Sequence, residues 1–366
     1  MSEDKKSHIE EGTEVYRQGG FHPVYIDDVD LRPTQPDAST EFRALKILSA
    51  SCYDGSQAPI FEREILTHLR NGDRDQHGYN HVCHLLDDFE HSGPNGTHVC
   101  LVFELLGETL RTFGAWFLES RLPSVVMRRF AIQLLLVLDF AHDHNVIHTD
   151  IKPDNIFVRF RDYSLVESGY LAHVPIPQQN RSEKQYTPIP SAPLRNDYFS
   201  EADHTRAADW ADRHLTENIQ PVALRSPEVL IRAPWTASTD FWNLGAIVLE
   251  LYRAVRMFSG AVPPDGHYEV KEHLTEIEHL FGAFPKELLD QGDQELVKEV
   301  FGDDGRITDP WDMIRPQLAS EEFMPGLEQE DREEFADWLR LAMRILPRER
   351  GSAEDLLRHP WLGALQ

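Results

Sequence analysis

The octapeptide HTDIKPDN, residues 148–155, decides how the rest of the chain is read. It follows SVVMRRFAIQLLLVLDFAHDH (124–144), a segment long and apolar enough to predict a central buried helix. Within eight residues it sets a carboxylate at Asp150, an ammonium at Lys152 and a side-chain amide at Asn155. Transfer of a phosphoryl group to a hydroxyl asks for those three groups. A carboxylate takes or orients the hydroxyl proton, a cation meets the moving phosphoryl oxygens, and a hard oxygen holds a magnesium ion.

Composition bounds the setting. The chain has 366 residues, 41% of them hydrophobic, which suits one large two-lobed domain or two ordinary ones. Formal net charge is −26, from 62 acidic and 36 basic residues. That balance argues against nucleic acid as a direct partner and favours a basic ligand. The acids concentrate in EEFMPGLEQEDREEFAD (321–337), eight against the single base Arg332. Such a run reads as a solvated helical face or as a docking surface for a basic partner. Three scattered cysteines, Cys52, Cys83 and Cys100, fit buried thiols in a reducing compartment better than a disulfide framework. The charged N-terminus and the lack of any run of about 18 apolar residues point away from secretion and the membrane. A cytoplasmic and nuclear monomer is expected.

Working outward from the octapeptide, residues 1–41 lack periodicity and read as an irregular arm. RALKILSA (43–50) reads as a strand, APIFEREILTHLR (58–70) as an amphipathic helix, and HVCHLLDDFEHSG with THVCLVFELL as two strands turning at SGPNG. Residues 42–104 are therefore a small mixed lobe. Residues 105–366 are mainly helical, with a proline-rich irregular insertion at about 161–205. In HVCH, strand alternation sends His81 and Cys83 to one face and His84 to the other, so a metal site is not expected.

A small mixed lobe, a hinge and a helical lobe carrying His148-Thr149-Asp150, Lys152 and Asn155 resemble the protein kinase fold, an α+β class. The resemblance implies catalytic roles for Asp150, Lys152 and Asn155, ATP and magnesium as cofactors, and Asn155 as a metal ligand. It further implies that Lys46 holds the nucleotide phosphates and pairs with Glu64, that Phe103 walls the adenine pocket, and that Glu104 to Leu106 form the hinge. RSPEVL (225–230) resembles the family's Ala-Pro-Glu segment, so Glu228 is expected to pair with Arg350, and Asp240 to anchor the catalytic loop from below. HTD in place of His-Arg-Asp, the early YRQGGFHPV and the insertion after NIFVRF resemble the SR-protein kinases, compact fungal forms especially. That group implies serine in arginine/serine-rich proteins as the phosphate acceptor. Thr149 replaces the arginine that usually clamps an activating phosphate, so the segment 212–224 is not expected to need one at Thr216.

Two parts of the pattern are missing. No glycine lies between Gly20 and Lys46, so the glycine loop has nowhere to form unless RQGGFHPVYI (17–26) is its degraded remnant. The metal aspartate is the second gap: Asp209 with Trp210 could stand in for it, but DHTRAA (203–208) shows no strand-like alternation, which favours a deletion. Both losses remove nucleotide machinery and spare the substrate-facing loop. An impaired kinase, or a catalytically inactive module that binds arginine/serine-rich partners, is the expectation.

Overall fold

The computed structural model describes residues 12–25, 42–56, 60–159, 204–207, 219–262, 265–311 and 315–363, with Val166, Ser168, Ala172, Tyr186 and Pro188 besides. The chain forms two compact units: Met1–Asn71 with Cys83–Glu108 and Arg159–Asp203, and Gly72–Val82 with Thr109–Val158 and His204–Gln366.

The first unit holds β1 (Arg43–Ile47), α1 (Glu62–Arg70), β2 (Leu85–Gly93) and β3 (Gly96–Glu104). The strands form an antiparallel sheet in the order β1-β3-β2. β3 takes the centre because its run Val99–Val102 is buried throughout, as a strand covered on both faces requires. Gly96, at φ +133°, reverses the chain between β2 and β3, a conformation open to glycine alone at no steric cost. α1 turns Ile65, Leu66 and Leu69 inward, each worth roughly 1.5–3 kcal/mol of burial.

The arm folds onto this hairpin. Gly19 donates its N–H to Asn95 O at 2.8 Å, Gly20 to Arg17 O at 2.7 Å and Phe21 to Val15 O at 3.0 Å. Asn95 Nδ2 returns a bond to Phe21 O at 2.6 Å. A Cβ on Gly20 would stand 2.0 Å from Val15 O, so a close backbone approach explains that glycine. Phosphate loops work by leaving such amides unpaired and convergent. These are committed to carbonyls, and the idea that RQGGFHPVYI is a degraded phosphate loop is overturned.

In the second unit α2 (Leu110–Gly114), α3 (Ser124–Asp143), β4 (Ile156–Arg159), β5 (His204–Ala207), α4 (Pro227–Leu230) and α5 (Ser238–Arg253) precede the short β6 (Ala261–Val262) and β7 (His267–Tyr268). Then come α6 (Val270–Phe281), α7 (Lys286–Leu289), α8 (Gln294–Val300), α9 (Gln329–Ala342) and α10 (Ala353–Leu357). α3 and α5 pack on each other and are buried over most of their length. α9 adds Phe335 and Trp338 to a cluster with Trp361, whose ring lies 4.4 Å from Phe335 and 4.8 Å from Trp338. Its acids point outward, while Arg332 bends inward to Ala319 O at 3.1 Å and Leu327 O at 2.6 Å. The run 321–337 thus presents acids almost alone.

Two expectations are corrected here. His77–His81 is a 3-10 turn and β2 begins only at Leu85, so strand alternation does not apply to His81, Cys83 and His84. β5 exists and pairs with β4, although DHTRAA carries no strand pattern. The ladder is made by backbone groups, which alternation of side chains does not report.

One buried histidine makes the second unit acid-sensitive. His273 is fully buried, with Nδ1 3.2 Å from the Tyr268 hydroxyl and its ring 5.1 Å from Phe258. Burial first, and the charge of Arg225 second, push its pKa down to about 3. An unfolded histidine takes its proton near pH 6.5, so between those values the unfolded state binds more protons and stability falls as pH falls. From pH 6.5 to 5 the loss due to His273 is expected to be about 1.6 kcal/mol. Urea unfolding at the two pH values should show His273→Gln losing correspondingly less than the parent; equal losses would remove His273 from the account.

Candidate active site

The loop after α3 is held from one residue far along the chain. Asp240, fully buried in the first turn of α5, accepts His148 N–H at 2.8 Å and Thr149 N–H at 3.0 Å, and meets His142 Nε2 at 2.9 Å. Those bonds fix a strained backbone: Thr149 sits at φ +64°, costly for a β-branched residue. Ile151, Ile156 and Val158 are buried on either side and Pro153 opens a 3-10 turn, so Lys152 and Asp154 reach solvent while Asn155 is buried.

Asp150, Lys152 and Asn155 come together there. Lys152 Nζ is 2.5 Å from Asp150 Oδ2, and Asn155 Nδ2 donates to Asp150 O at 3.0 Å and to Oδ2 at 2.9 Å. Both donors fall on one carboxylate oxygen, which leaves Oδ1 for an incoming hydroxyl. The Asn155 amide nitrogen is spent on Asp150, so its Oδ1, a hard oxygen suited to magnesium, is the group left to offer. Beside them Arg111 grips Asp154 with two bonds, Nε to Oδ1 at 2.6 Å and Nη2 to Oδ2 at 2.7 Å. That grip holds the Asp154 carboxyl below the usual carboxylate range.

Glu228 and Arg350 form a buried pair with both side chains at 0% exposure, joined at 2.7 and 2.6 Å. Gln220 is a residue the sequence reading missed. Its N–H donates to Thr149 O at 3.0 Å, its Nε2 to Thr239 O at 3.1 Å and to Asn243 Oδ1, and its Oε1 accepts from Ser226 N at 2.8 Å. Gln220 is buried at φ +68° and ties the reactive loop to the stretch before Glu228 without any charge. A buried glutamine with every polar atom satisfied is a rigid strut. Only its position two residues before Val222 in an apolar, proline-marked stretch could have signalled it.

In the first unit Lys46 meets a glutamate, but not the one expected. Lys46 Nζ is 2.6 Å from Glu62 Oε1, whereas Glu64 accepts from the Tyr53 hydroxyl at 3.2 Å. Glu62 lies three, four and seven residues before the buried Ile65, Leu66 and Leu69, on the helix face turned to the sheet; Glu64 lies on the other side. That spacing was present in the sequence. Phe103 pairs with Ala44 and Leu85 across the sheet, Glu104 is ion-paired with Arg159 at 3.0 Å, and Leu106 is half-buried just beyond β3. Asp209 lies outside the described residues; β5 ends two residues before it. Among the described residues no group of three or more histidine, cysteine or acidic side chains could by itself hold a metal.

The protein kinase domain family matches residues 36–188. Over 99% of the chain and 86% of the relative, it is 26% identical to Protein kinase dsk1 of Schizosaccharomyces pombe. It is 26% identical to Serine/threonine-protein kinase SRPK of Physarum polycephalum over 96% of the chain and 91% of the relative. A protein kinase domain thus accounts for the matched part of the chain. A solved kinase domain shares the fold at a TM-score of 0.61 and 20% identity, covering 88% of both chains. The human Dual specificity protein kinase CLK1 is 27% identical over 85% of this kinase and 58% of the relative, so the likeness extends to two named kinase groups. The kinase is thus a serine/threonine protein kinase by family, with an N-terminal sheet unit and a helical unit that carries the HTD loop.

Proposed function

We propose that this kinase has serine in arginine/serine-rich proteins as its acceptor class, and that its nucleotide site is impaired as the chain stands. The arrangement of Asp150, Lys152 and Asn155 supports the first half, together with the likeness to the SRPK of Physarum and an outward acidic α9 that suits a basic partner. Asp150 Oδ1 orients and receives the serine hydroxyl proton, while Lys152 leaves Asp150 to meet charge on the transferring group. Magnesium-bound ATP supplies the phosphoryl group; Asn155 Oδ1 and the Asp209 carboxylate are the hard oxygens this chain offers the metal. β5 favours Asp209 over a deletion, because a strand paired with β4 ends shortly before it. The second half rests on the committed amides of Gly19 to Phe21 and the absence of any glycine from residues 21 to 45. Thr149 and the uncharged Gln220 strut favour a loop that holds its shape without phosphorylation at Thr216.

Transfer of labelled phosphate to an arginine/serine-rich peptide tests both halves. The chain is expected to be at least about a hundredfold slower than the same chain given a glycine-loop segment before Arg43, since one preorganised donor alone is worth about that factor. Asp150→Ala and Asp209→Asn should each abolish the recovered activity. Failure of the completed chain to act on the peptide, with magnesium ATP bound, would favour a binding module for basic partners instead.

A further inference from the structure

The second unit buries a cation that its own carboxylates do not answer. Arg253 ends α5 and is 6% exposed. A buried guanidinium is ordinarily paired, as Arg350 is with Glu228. Arg253 forms no ion pair with any described carboxylate, and its Nε–H is buried without an acceptor. The Tyr252 ring lies under it at 4.9 Å. Glu321 acts on it at longer range, but both Glu321 oxygens are engaged: Oε1 accepts Gly326 N–H at 2.9 Å and Oε2 pairs with Arg332.

A second cation converges on the same spot. Arg121, from the loop between α2 and α3, reaches Glu119 at 2.8 Å, and its Nε–H is likewise buried without an acceptor. A Cβ on Gly326 would lie 3.2 Å from Arg253 Nη2 and 3.5 Å from Arg121 Nη1, so the two guanidinium tips flank one glycine held at φ +74°. Burial first, and then Arg121, work against the charge of Arg253, and Tyr252 and Glu321 offset them only in part. Three arginines and two glutamates meet here, in a chain whose formal charge is −26.

We propose that Arg121 and Arg253 form a binding site for a phosphate-class dianion, received over Gly326. A single carboxylate is already supplied by Glu119 and offsets Arg121 alone. A tetrahedral dianion offers oxygens to both forks and supplies the charge that Arg253 lacks. The source is free phosphate or a phosphomonoester carried on a peptide, and the chemistry is shared. Neither depends on the acceptor class or the nucleotide site proposed above.

The test uses the full chain, with inorganic phosphate titrated at constant ionic strength against chloride and acetate. At tenfold over its Kd, phosphate is expected to raise the Tm by about 2–3 °C, and acetate to give no more than chloride. Arg121→Gln and Arg253→Met should each abolish the shift; Arg344→Gln, an exposed arginine elsewhere, should keep it. Should Arg253→Met fold poorly, Arg121→Gln decides, because that side chain is partly exposed. Tighter binding of a neutral phosphopeptide than of phosphate assigns the peptide source, and equal binding assigns the free ion. No shift beyond chloride, or one that survives Arg121→Gln, overturns the site.

Discussion

Arg350→Met is expected to lower the free energy of unfolding by about 3–5 kcal/mol, the cost of stranding a buried charge. Glu228 has no water to turn to: both its oxygens accept from Arg350, and both side chains are at 0% exposure. The guanidinium also donates to Ser238 O at 3.1 Å and Arg344 O at 2.9 Å and lies 5.3 Å from the Trp242 ring. Methionine keeps some of the apolar volume and none of the donors. Urea unfolding of the single variant and of Arg350→Met with Glu228→Gln separates the causes. The double variant should recover a large part of the loss, since the charge itself is gone. A single variant within about 1 kcal/mol of the parent would mean the carboxyl protonates and the pair contributes little.

Asp240→Ala should be nearly as costly and more damaging to the reactive loop. Three donors, His148 N–H, Thr149 N–H and His142 Nε2, lose one carboxylate at once. Each buried donor left unmade costs about 1–3 kcal/mol, and partial access of water to Thr149 and His142 brings the sum to about 3–4 kcal/mol. Amide hydrogen exchange at His148 and Thr149 should accelerate far more than exchange in the middle of α3. If both amides stayed as protected as in the parent, another group would be holding the loop, and Asp240 would be an ordinary buried acid.

Side-chain pattern carried the two lobes and the octapeptide, because those depend on which residues are apolar and where polar ones interrupt them. Helix α3 was legible from its length, and Gly93, Pro94 and Gly96 marked the hairpin. Asp240, Glu228 and Arg350 were placed by resemblance, and the structure shows why each is polar inside a core. What escaped depended on the backbone. β5 pairs through N–H and C=O groups that HTRA does not advertise, and Gln220 is useful because of a left-handed φ that no composition reveals. The Glu62 and Glu64 choice was different, since the apolar spacing of α1 contained the answer while the resemblance pointed to Glu64.

The anchor of the HTD loop lies 92 residues downstream of His148. A ribosome therefore releases the reactive octapeptide long before the carboxylate that shapes it, at synthesis rates of roughly 5–20 residues per second. In that interval Thr149 has no reason to stay left-handed, and the loop is an unstructured tail on α3. The chemistry of this chain is assembled late, by closure of a long-range contact, and any nascent or truncated product ending before α5 carries the signature residues without the site.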